Sequence, residues 1–358
     1  MSAILPSPPR RVCILRLSAI GDTCHVLPVV RILQRAWPAT RFTWVIGRVE
    51  ARLMQLVPDI EFIAVDRHGG TGELLRLRHL LAGRRFDLLL HMQLAARASL
   101  LSLLVRAPVK LGFDRRRARE LQWLFTTHSI ATRRREHVLD AMLGFTAALG
   151  VPDRELRWDI PLPDEALDHA SRLIPDDRPT LVISPCSSHR LRTWSAAGYA
   201  AVAAHAVRAH GMRVILAGGP GAHERGMGAA IEQLCPVPLV DTIGRDTLPK
   251  LLALLARADA LLSPDSGPAH MATAVGLPVI GLYAATNPER SGPYLSREWC
   301  VNRYDDAARR FLGRPATSLP WTQKIERPGV MDLVTIADVT AKLDALSSAG
   351  FGRHRANL

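Results

Sequence analysis

The sequence predicts an α/β protein made of two Rossmann-like domains, each a doubly wound parallel sheet. Short apolar runs alternate with amphipathic helical patterns along the chain, which is typical of βαβ units. The runs are continuously apolar, as expected of parallel strands covered on both faces. The alternation stops near residues 151–179 and then restarts, and 358 residues are enough for two domains. Two such halves are expected to face a central cleft that binds a ligand at the carboxyl ends of the strands.

The first half begins with a buried strand followed by an amphipathic helix. Val26, Val29, Val30, Leu33 and Trp37 recur at helical spacing after the first apolar run. The same alternation repeats three more times, which predicts a parallel sheet. The predicted strands are residues 12–17, 42–46, 62–65 and 86–92, and the predicted helices are residues 24–37, 49–57, 73–81 and 95–105.

The stretch between the two halves is rich in proline and charge. It contains VPDRELRWDIPLPDE and LIPDDRP, which predict a linker with one short helix over residues 165–173. In the second half the predicted strands are residues 180–184, 213–217, 237–240, 258–262 and 278–283, and the predicted helices are residues 196–209, 222–234, 248–256, 268–275 and 336–346. We therefore predict domains over residues 1–165 and 166–335, with a closing helix and tail over residues 336–358.

The charge balance indicates an anionic partner. The formal net charge is +13, which suits nucleic acid, an acidic membrane surface or phosphorylated substrates, or else reflects scattered solubilising arginines. Nucleic acid is not expected, because the sequence has no zinc-finger spacing, no RNP-type motif and only 5% aromatic residues. Five cysteines without a C-x-x-C pair indicate neither a disulfide framework nor a metal site, and favour a reducing compartment.

The hydrophobic runs indicate no membrane span. The apolar run near the N-terminus, residues 12–17, is too short for the core of a signal peptide. No stretch reaches the roughly 18 apolar residues that a spanning helix needs. We therefore expect a cytoplasmic protein that is soluble or attached to a membrane only from its surface.

The first candidate site is the loop after the first strand, S-A-I-G-D-T-C-H at residues 18–25. Loops of this kind are where α/β sheets bind ligands. A single glycine does not make the dinucleotide fingerprint, which counts against a nicotinamide enzyme. Asp22 falls at the start of a predicted helix, where an acid favours the helix dipole. A carboxylate in that place also suits a general base, and both interpretations stay open.

The second candidate is S-P-D-S-G-P-A-H at residues 263–270, between an apolar strand and a helix with Pro268 in its first turn. The free N–H groups at such a helix start suit a diphosphate. Asp265 would repel phosphate and is better placed to bind sugar hydroxyls. Simple capping by Asp265 or Ser266 explains the local sequence almost as well.

Two further loops follow strands of the second half. In residues 184–194, Ser187 and Ser188 precede Arg190 and Arg192, a set able to hold a diphosphate or to form an ordinary polar loop. The tract T-N-P-E-R-S-G-P-Y at residues 286–294 has the composition of a long turn. Neither loop by itself specifies a function.

Basic clusters lie in the first half of the chain. Such runs usually form a solvated face, but two of them in one domain also suit an anionic acceptor or a membrane patch. The clusters are Arg115, Arg116, Arg117 and Arg119, followed by Arg133, Arg134 and Arg135.

Three motifs taken together resemble glycosyltransferase family nine, which contains the ADP-heptose:lipopolysaccharide heptosyltransferases. They are V-x-I-L-R-L-S-A-I-G-D at residues 12–22, D-S-G-P-A-H at residues 265–270 and the tract at residues 286–294. The resemblance runs in order from about Arg11 to the last helix. It implies a GT-B fold with an N-terminal acceptor domain, a C-terminal nucleotide-sugar domain and a last helix that crosses back to the first domain. It also implies inverting transfer from an ADP-sugar, with no cofactor and no metal.

The resemblance also implies roles for individual residues. Asp22 matches the catalytic base of the family, and Asp265 matches the acid that contacts the donor sugar. Arg192, in R-T-W, stands where the family often has lysine in K-x-W, which keeps the charge and changes the geometry. The expected donor-binding residues are Ser187, Ser188, Arg192, Asp265, Ser266, Gly267 and His270, and the expected acceptor-binding residues are Arg115, Arg116, Arg117 and Arg119.

These expectations combine into one leading function. The chain is expected to transfer a heptose or a related sugar from an ADP-sugar to an anionic, lipid-linked inner-core acceptor of lipopolysaccharide, at the cytosolic face of the inner membrane. One alternative is another GT-B nucleotide-sugar enzyme, a hexosyltransferase or an epimerase-like enzyme. The other is a non-catalytic protein that binds anions or nucleic acid through its positive charge.

Overall fold

The structure, a computed structural model, describes residues 4–350 and separates into two compact units. The first unit is Met1–Pro161 and the second is Leu162–Leu358. The division falls a few residues before the predicted domain boundary at 165/166. Residues 351–358 of the predicted closing tail, and residues 1–3, lie outside the described residues.

The first unit holds a six-stranded parallel sheet in the order β3-β2-β1-β4-β5-β6. Val12–Leu15 in β1 are buried because neighbouring strands and helices cover both faces of the sheet. The strands are β1 (Arg11–Leu15), β2 (Arg41–Gly47), β3 (Ile60–Val65), β4 (Leu88–His91), β5 (Val109–Gly112) and β6 (His128–Ser129), and the helices are α1 (Ile20–Ala36), α2 (Arg48–Met54), α3 (Gly70–Leu81), α4 (Ala96–Ser102) and α5 (Val138–Ala148).

The second unit holds another six-stranded parallel sheet, in the order β12-β11-β10-β7-β8-β9. The strands are β7 (Thr180–Ile183), β8 (Arg213–Leu216), β9 (Val240–Asp241), β10 (Ala260–Pro264), β11 (Val279–Tyr283) and β12 (Val301–Asn302), and the helices are α6 (Asp164–Leu173), α7 (Ala196–His210), α8 (Ala222–Leu234), α9 (Leu248–Arg257), α10 (Gly267–Ala274), α11 (Pro288–Ser291), α12 (Tyr304–Leu312) and α13 (Ile336–Ala349).

The two sheets have the same internal order. Counted within its own unit, each runs 3-2-1-4-5-6, which is the strand order of a Rossmann sheet. The direction of the connections therefore reverses between β1 and β4 in the first unit and between β7 and β10 in the second. Open α/β sheets bind ligands outside the carboxyl ends of the strands at this switch point. The loops that follow these four strands are therefore the expected ligand-binding loops.

Several elements of the structure were absent from the sequence prediction. They are β5, β6 and α5 in the first unit, and α11, β12 and α12 in the second. The two missed strands of the first unit carry polar residues: Lys110 lies in β5, and β6 consists of His128 and Ser129. β6 is the edge strand and β5 is next to it, where fewer residues are buried, so no continuous apolar run marks them.

The last helix packs within the second unit. Val339, Leu343 and Leu346 of α13 are buried in the hydrophobic core of that unit. Helix α13 contacts α7 and the strands β11 and β12. Its buried face thus covers the sheet of its own unit, and the packing of this helix toward the first domain stays a prediction. Among the helices of residues 4–350, none combines the length and the apolar character needed to span a bilayer.

Candidate functional site

The loops after β7 and β10 lie against each other at the switch point of the second sheet. Ser187 is buried, and its hydroxyl donates a hydrogen bond to the backbone oxygen of Asp265 at 2.7 Å. The backbone N–H of Ser187 donates to Oγ1 of Thr193 at 3.4 Å. Two loops that sequence analysis singled out separately therefore form one surface.

Arg192 lies in the same place, between two carboxylates. Its Nε and Nη2 atoms donate to Oε1 of Glu326 at 2.9 and 2.6 Å. Its Nη1 atom lies 3.4 Å from Oδ2 of Asp265. The side chains of Arg192 and Asp265 are each only 13% exposed. All three groups are thus held in fixed positions at the carboxyl ends of the strands.

A third segment completes this region. The N–H of Ile325 donates to the backbone oxygen of Ala285 at 2.8 Å, which fixes residues 324–326 beside the end of β11. Burial alone would raise the pKa of Glu326, but hydrogen bonding to Arg192 and the nearby positive charges outweigh it and lower that pKa. Partial burial and the Arg192 charge lower the pKa of Lys324. Glu326 and Lys324 are site residues that sequence analysis missed.

Helix α10 begins at this surface. Ser266 is its N-cap residue, with Gly267 and Pro268 in the first turn. Within the described residues the Ser266 hydroxyl bonds to Ser263 Oγ, at 2.7 Å, and makes no bond to a helix N–H. Capping of the helix by the Ser266 side chain, one of the alternatives left open by the sequence, is therefore not observed. The first N–H groups of α10 have no partner inside the helix, which makes its N-terminus suited to an anion.

The remaining predicted donor residues occupy different environments. Ser188 is exposed, next to the buried Ser187. His270 lies in α10 and is buried. The tract at residues 286–294 contains α11, a helix of one turn. Asn287 caps this helix by accepting a hydrogen bond from the N–H of Glu289 at 3.0 Å. Ser188 is thus accessible to a ligand, whereas the side chain of His270 is largely covered by the protein.

Asp22 lies at the switch point of the first sheet, as the third residue of α1. Its Oδ2 atom accepts a hydrogen bond from the N–H of Ala19 at 3.1 Å, as a helix-terminal acid does. The same oxygen forms an ion pair with Arg16. The carboxylate remains 35% exposed, so it stabilises the helix start and still faces solvent.

Arg16 joins the loops after β1 and β4. It is buried, and it donates from Nε to the backbone oxygen of Ser18 at 2.8 Å and from Nη1 to that of Met92 at 2.6 Å. Gln93 Oε1 accepts hydrogen bonds from the N–H groups of Leu17 and Ser18 at 3.1 and 3.3 Å. Arg16 was missed as a functional residue, although it stands within the first quoted motif.

A second acid, Glu50, lies in α2 at the end of β2. It is buried, and burial raises its pKa, with the nearby Asp22 charge adding to that effect. The Arg67 guanidinium, 3.7 Å away, acts in the opposite direction. The raised pKa of Glu50 thus reflects the cost of keeping a charged carboxylate in a buried position.

The four arginines predicted to bind acceptor have different environments. Arg117 pairs with Asp114 and Glu136 and is mostly buried, so its guanidinium is engaged within the first unit. The Arg115 guanidinium lies over the Trp123 ring, 4.6 Å from its centroid. Arg115, Arg116 and Arg119 are exposed.

Comparisons with known proteins show the family of the chain. Residues 74–314, more than half of the chain, match the model of glycosyltransferase family 9 (heptosyltransferase). The chain belongs to glycosyltransferase family 9. It is 39% identical to the lipopolysaccharide core heptosyltransferase OpsX of Haemophilus influenzae, over 94% of this chain and 97% of that protein. It is 24% identical to lipopolysaccharide heptosyltransferase 3 of Escherichia coli, over 91% of this chain and 96% of the relative.

Solved structures share the fold of this family 9 glycosyltransferase. A glycosyltransferase family 9 protein from Veillonella parvula superimposes with a TM-score of 0.77 at 22% identity, over 95% of this chain and 98% of that one. Heptosyltransferase WaaC of Escherichia coli with ADP gives a TM-score of 0.71 at 20% identity, over 94% and 99%. The predicted family, the two-sheet GT-B fold and the glycosyltransferase class are confirmed. The roles of individual site residues stay predictions.

Proposed function

We propose that this enzyme transfers heptose from ADP-heptose to the inner core of lipopolysaccharide, with inversion and without a metal. The observation that carries the proposal is the meeting of Ser187, Arg192 and Asp265 beside the start of α10. It is supported by the identity to OpsX, a lipopolysaccharide core heptosyltransferase, and by the fold shared with WaaC in its complexes with ADP and ADP-2-deoxy-2-fluoro heptose.

The second unit is proposed to hold the donor. The guanidinium of Arg192, the ammonium of Lys324 and the N-terminus of α10 together supply the positive charge that a leaving diphosphate requires. Asp265 would repel phosphate, and we assign it to the hydroxyls of the transferred sugar. Ser187 and the exposed Ser188 are proposed to contact the donor phosphates. Arg192 keeps Asp265 in position, so donor sugar and diphosphate are bound by linked groups.

The first unit is proposed to supply the general base. Asp22 would take the proton from the attacking acceptor hydroxyl, a role that contributes about 10²–10⁴-fold to rate in other enzymes. Arg16 is a positioning residue, because it pairs with Asp22 while its other nitrogens are bound to backbone oxygens of two loops. The exposed Arg116 and Arg119 are proposed to contact anionic groups of the acceptor.

Donor selectivity tests the proposed function directly. Calorimetric titration with ADP, UDP, GDP and NAD, without added metal, is expected to show ADP binding at least about 10-fold more tightly, or about 1.4 kcal/mol. Assays with ADP-heptose and a truncated lipopolysaccharide acceptor should then show transfer. Tighter binding of UDP or GDP would contradict the ADP-sugar donor and leave the fold assignment unchanged.

A surface of the first unit suits contact with the inner membrane. We call Leu100, Leu103, Leu121, Trp123 and Leu124 the leucine face; these side chains are between 37% and 60% exposed. Helix α4 contacts the short 3₁₀ helix Gln122–Phe125, so both parts of the face belong to one region. Exposed arginines occur alongside, on α4 and after β5. Apolar side chains among arginines favour the surface of an anionic bilayer.

Removing two leucines should weaken membrane contact. Replacing Leu103 and Leu124 by serine is expected to lower the partition coefficient onto phosphatidylglycerol-containing vesicles about 30-fold, because each leucine loses about 1 kcal/mol of apolar transfer. Cosedimentation measures it, with phosphatidylcholine vesicles as the uncharged comparison. The matched control replaces Leu234 and Ile336, which are exposed in the second unit. An equal fall of the partition coefficient in both double variants would show that the leucine face does not make the membrane contact.

A further inference from the structure

A cluster of two histidines and one aspartate lies away from the loops that hold the donor residues. His205 and His210 are in the last turns of α7, and Asp344 is in α13. The Nε2 atoms of both histidines lie 2.6 Å from the same carboxylate oxygen of Asp344. All three potential ligand atoms lie within 4.8 Å of one another. We infer that these three side chains form a binding site for a divalent transition-metal cation.

The chemistry of the donor set selects the type of cation. Two imidazole nitrogens and one carboxylate oxygen are the ligands that Zn²⁺, Co²⁺ and Ni²⁺ bind, whereas Mg²⁺ and Ca²⁺ prefer oxygen alone. Three protein ligands leave a fourth position for water. Around a tetrahedral zinc the ligand atoms stand about 3.3 Å apart, since each bond is about 2.0–2.2 Å. The 2.6 Å distance from each histidine Nε2 atom to the Asp344 oxygen must therefore lengthen slightly. The Asp344 side chain is 49% exposed, so it has room to move.

The position of the cluster indicates what a bound cation would do. Near the start of α7, the indole N–H of Trp194 donates to the backbone oxygen of Val334, just before α13, at 2.9 Å. Near the end of α7, the cluster joins the same two helices again. The bound cation would therefore cross-link the last helix to the helix that follows the donor loop. Such a site is structural, and it is independent of the metal-free transfer proposed above.

Binding of zinc by the native enzyme tests this inference. Tag-free protein freed of metal with EDTA is titrated with ZnCl₂ in a calorimeter, and its melting temperature is measured with and without the cation. We expect one-to-one binding and a higher melting temperature, because a cation that binds only the folded state stabilises it by mass action. His210→Gln and Asp344→Asn should each abolish both effects.

The matched control is His169→Gln. His169 lies in the same unit and bonds Asp246 at 2.7 Å, but that pair has only one histidine. We expect this variant to bind zinc like the native enzyme. The inference is overturned if the native enzyme binds no zinc at about 100 µM, which is roughly ten times a Kd of about 10 µM. It is also overturned if the cluster variants bind zinc as the native enzyme does. A cluster variant that is less stable without zinc still tests the inference through its loss of the zinc-dependent shift.

Discussion

Replacing Asp22 by asparagine is expected to lower kcat by about 10²–10⁴-fold, the range that a general base contributes. Asparagine keeps an oxygen that can accept the hydrogen bond from Ala19, so the helix start should be preserved. It cannot take a proton from the acceptor hydroxyl. ADP affinity should be unchanged, because the donor residues belong to the second unit. Steady-state transfer assays and calorimetry with ADP measure the two quantities.

Asp140→Asn is the matched control for this prediction. Asp140 is the third residue of α5, as Asp22 is of α1, so both are first-turn acids of the same unit. A change at either position removes a favourable charge–dipole interaction of about 0.3–1 kcal/mol. Only the Asp22 variant should lose turnover. Near-normal turnover in Asp22→Asn, confirmed with Asp22→Ala, would exclude Asp22 as the base.

Local sequence patterns predict most of both sheets. Central strands such as β1 and β10 are covered on both faces and read as continuous apolar runs. The order of the elements then places the loops after β1, β7 and β10 at the carboxyl ends of parallel strands. This order marks the loops that contain Asp22, Ser187 and Asp265 as candidate ligand-binding loops, and the roles of these residues come from the family resemblance. Short strands near the edge, such as β5 with Lys110, give no comparable signal.

The contacts between the site residues could not be predicted in the same way. Glu326, which binds Arg192, is 134 residues away from it in the chain. Met92, whose backbone oxygen holds Arg16, is 76 residues away from that arginine. Only the strand order brings these segments together, and a local pattern of residue types does not contain it. The resemblance supplied roles for the motif residues and no information about their partners.

The basic clusters show that even neighbouring residues cannot be assigned a role from the local sequence. Arg116 and Arg117 are neighbours in one basic cluster and were assigned the same role. In the structure Arg117 pairs with Asp114 and Glu136, while Arg116 is exposed. Arg117 is mostly buried in these ion pairs, so its guanidinium is less accessible to an acceptor than that of the exposed Arg116. We therefore expect Arg116→Ala to affect acceptor binding and Arg117→Ala to affect stability.

Replacing Arg192 by alanine is expected to lower kcat/KM by about 10²–10³-fold, the cost of removing one preorganised donor from developing charge. ADP affinity should fall about 10–100-fold, as expected for losing a charged hydrogen bond of about 1.5–3 kcal/mol. The variant leaves Glu326 and Asp265 without the cation that lies between them. Two carboxylates would then face the diphosphate and oppose its binding. Transfer assays and calorimetry with ADP measure both effects.

Arg192→Lys separates charge from geometry at the same position. Lysine keeps the positive charge, but it lacks the fork that bonds Glu326 through two nitrogens while a third lies beside Asp265. We expect an intermediate loss of about 10-fold in ADP affinity, because one charged hydrogen bond of about 1.5 kcal/mol is lost. Arg213→Ala is the control, since Arg213 pairs with Asp176 at the amino end of β8, on the opposite edge of the sheet. If Arg192→Ala binds ADP as the native enzyme does while Arg213→Ala is equally unaffected, Arg192 only orders the loop and the diphosphate is held by other groups.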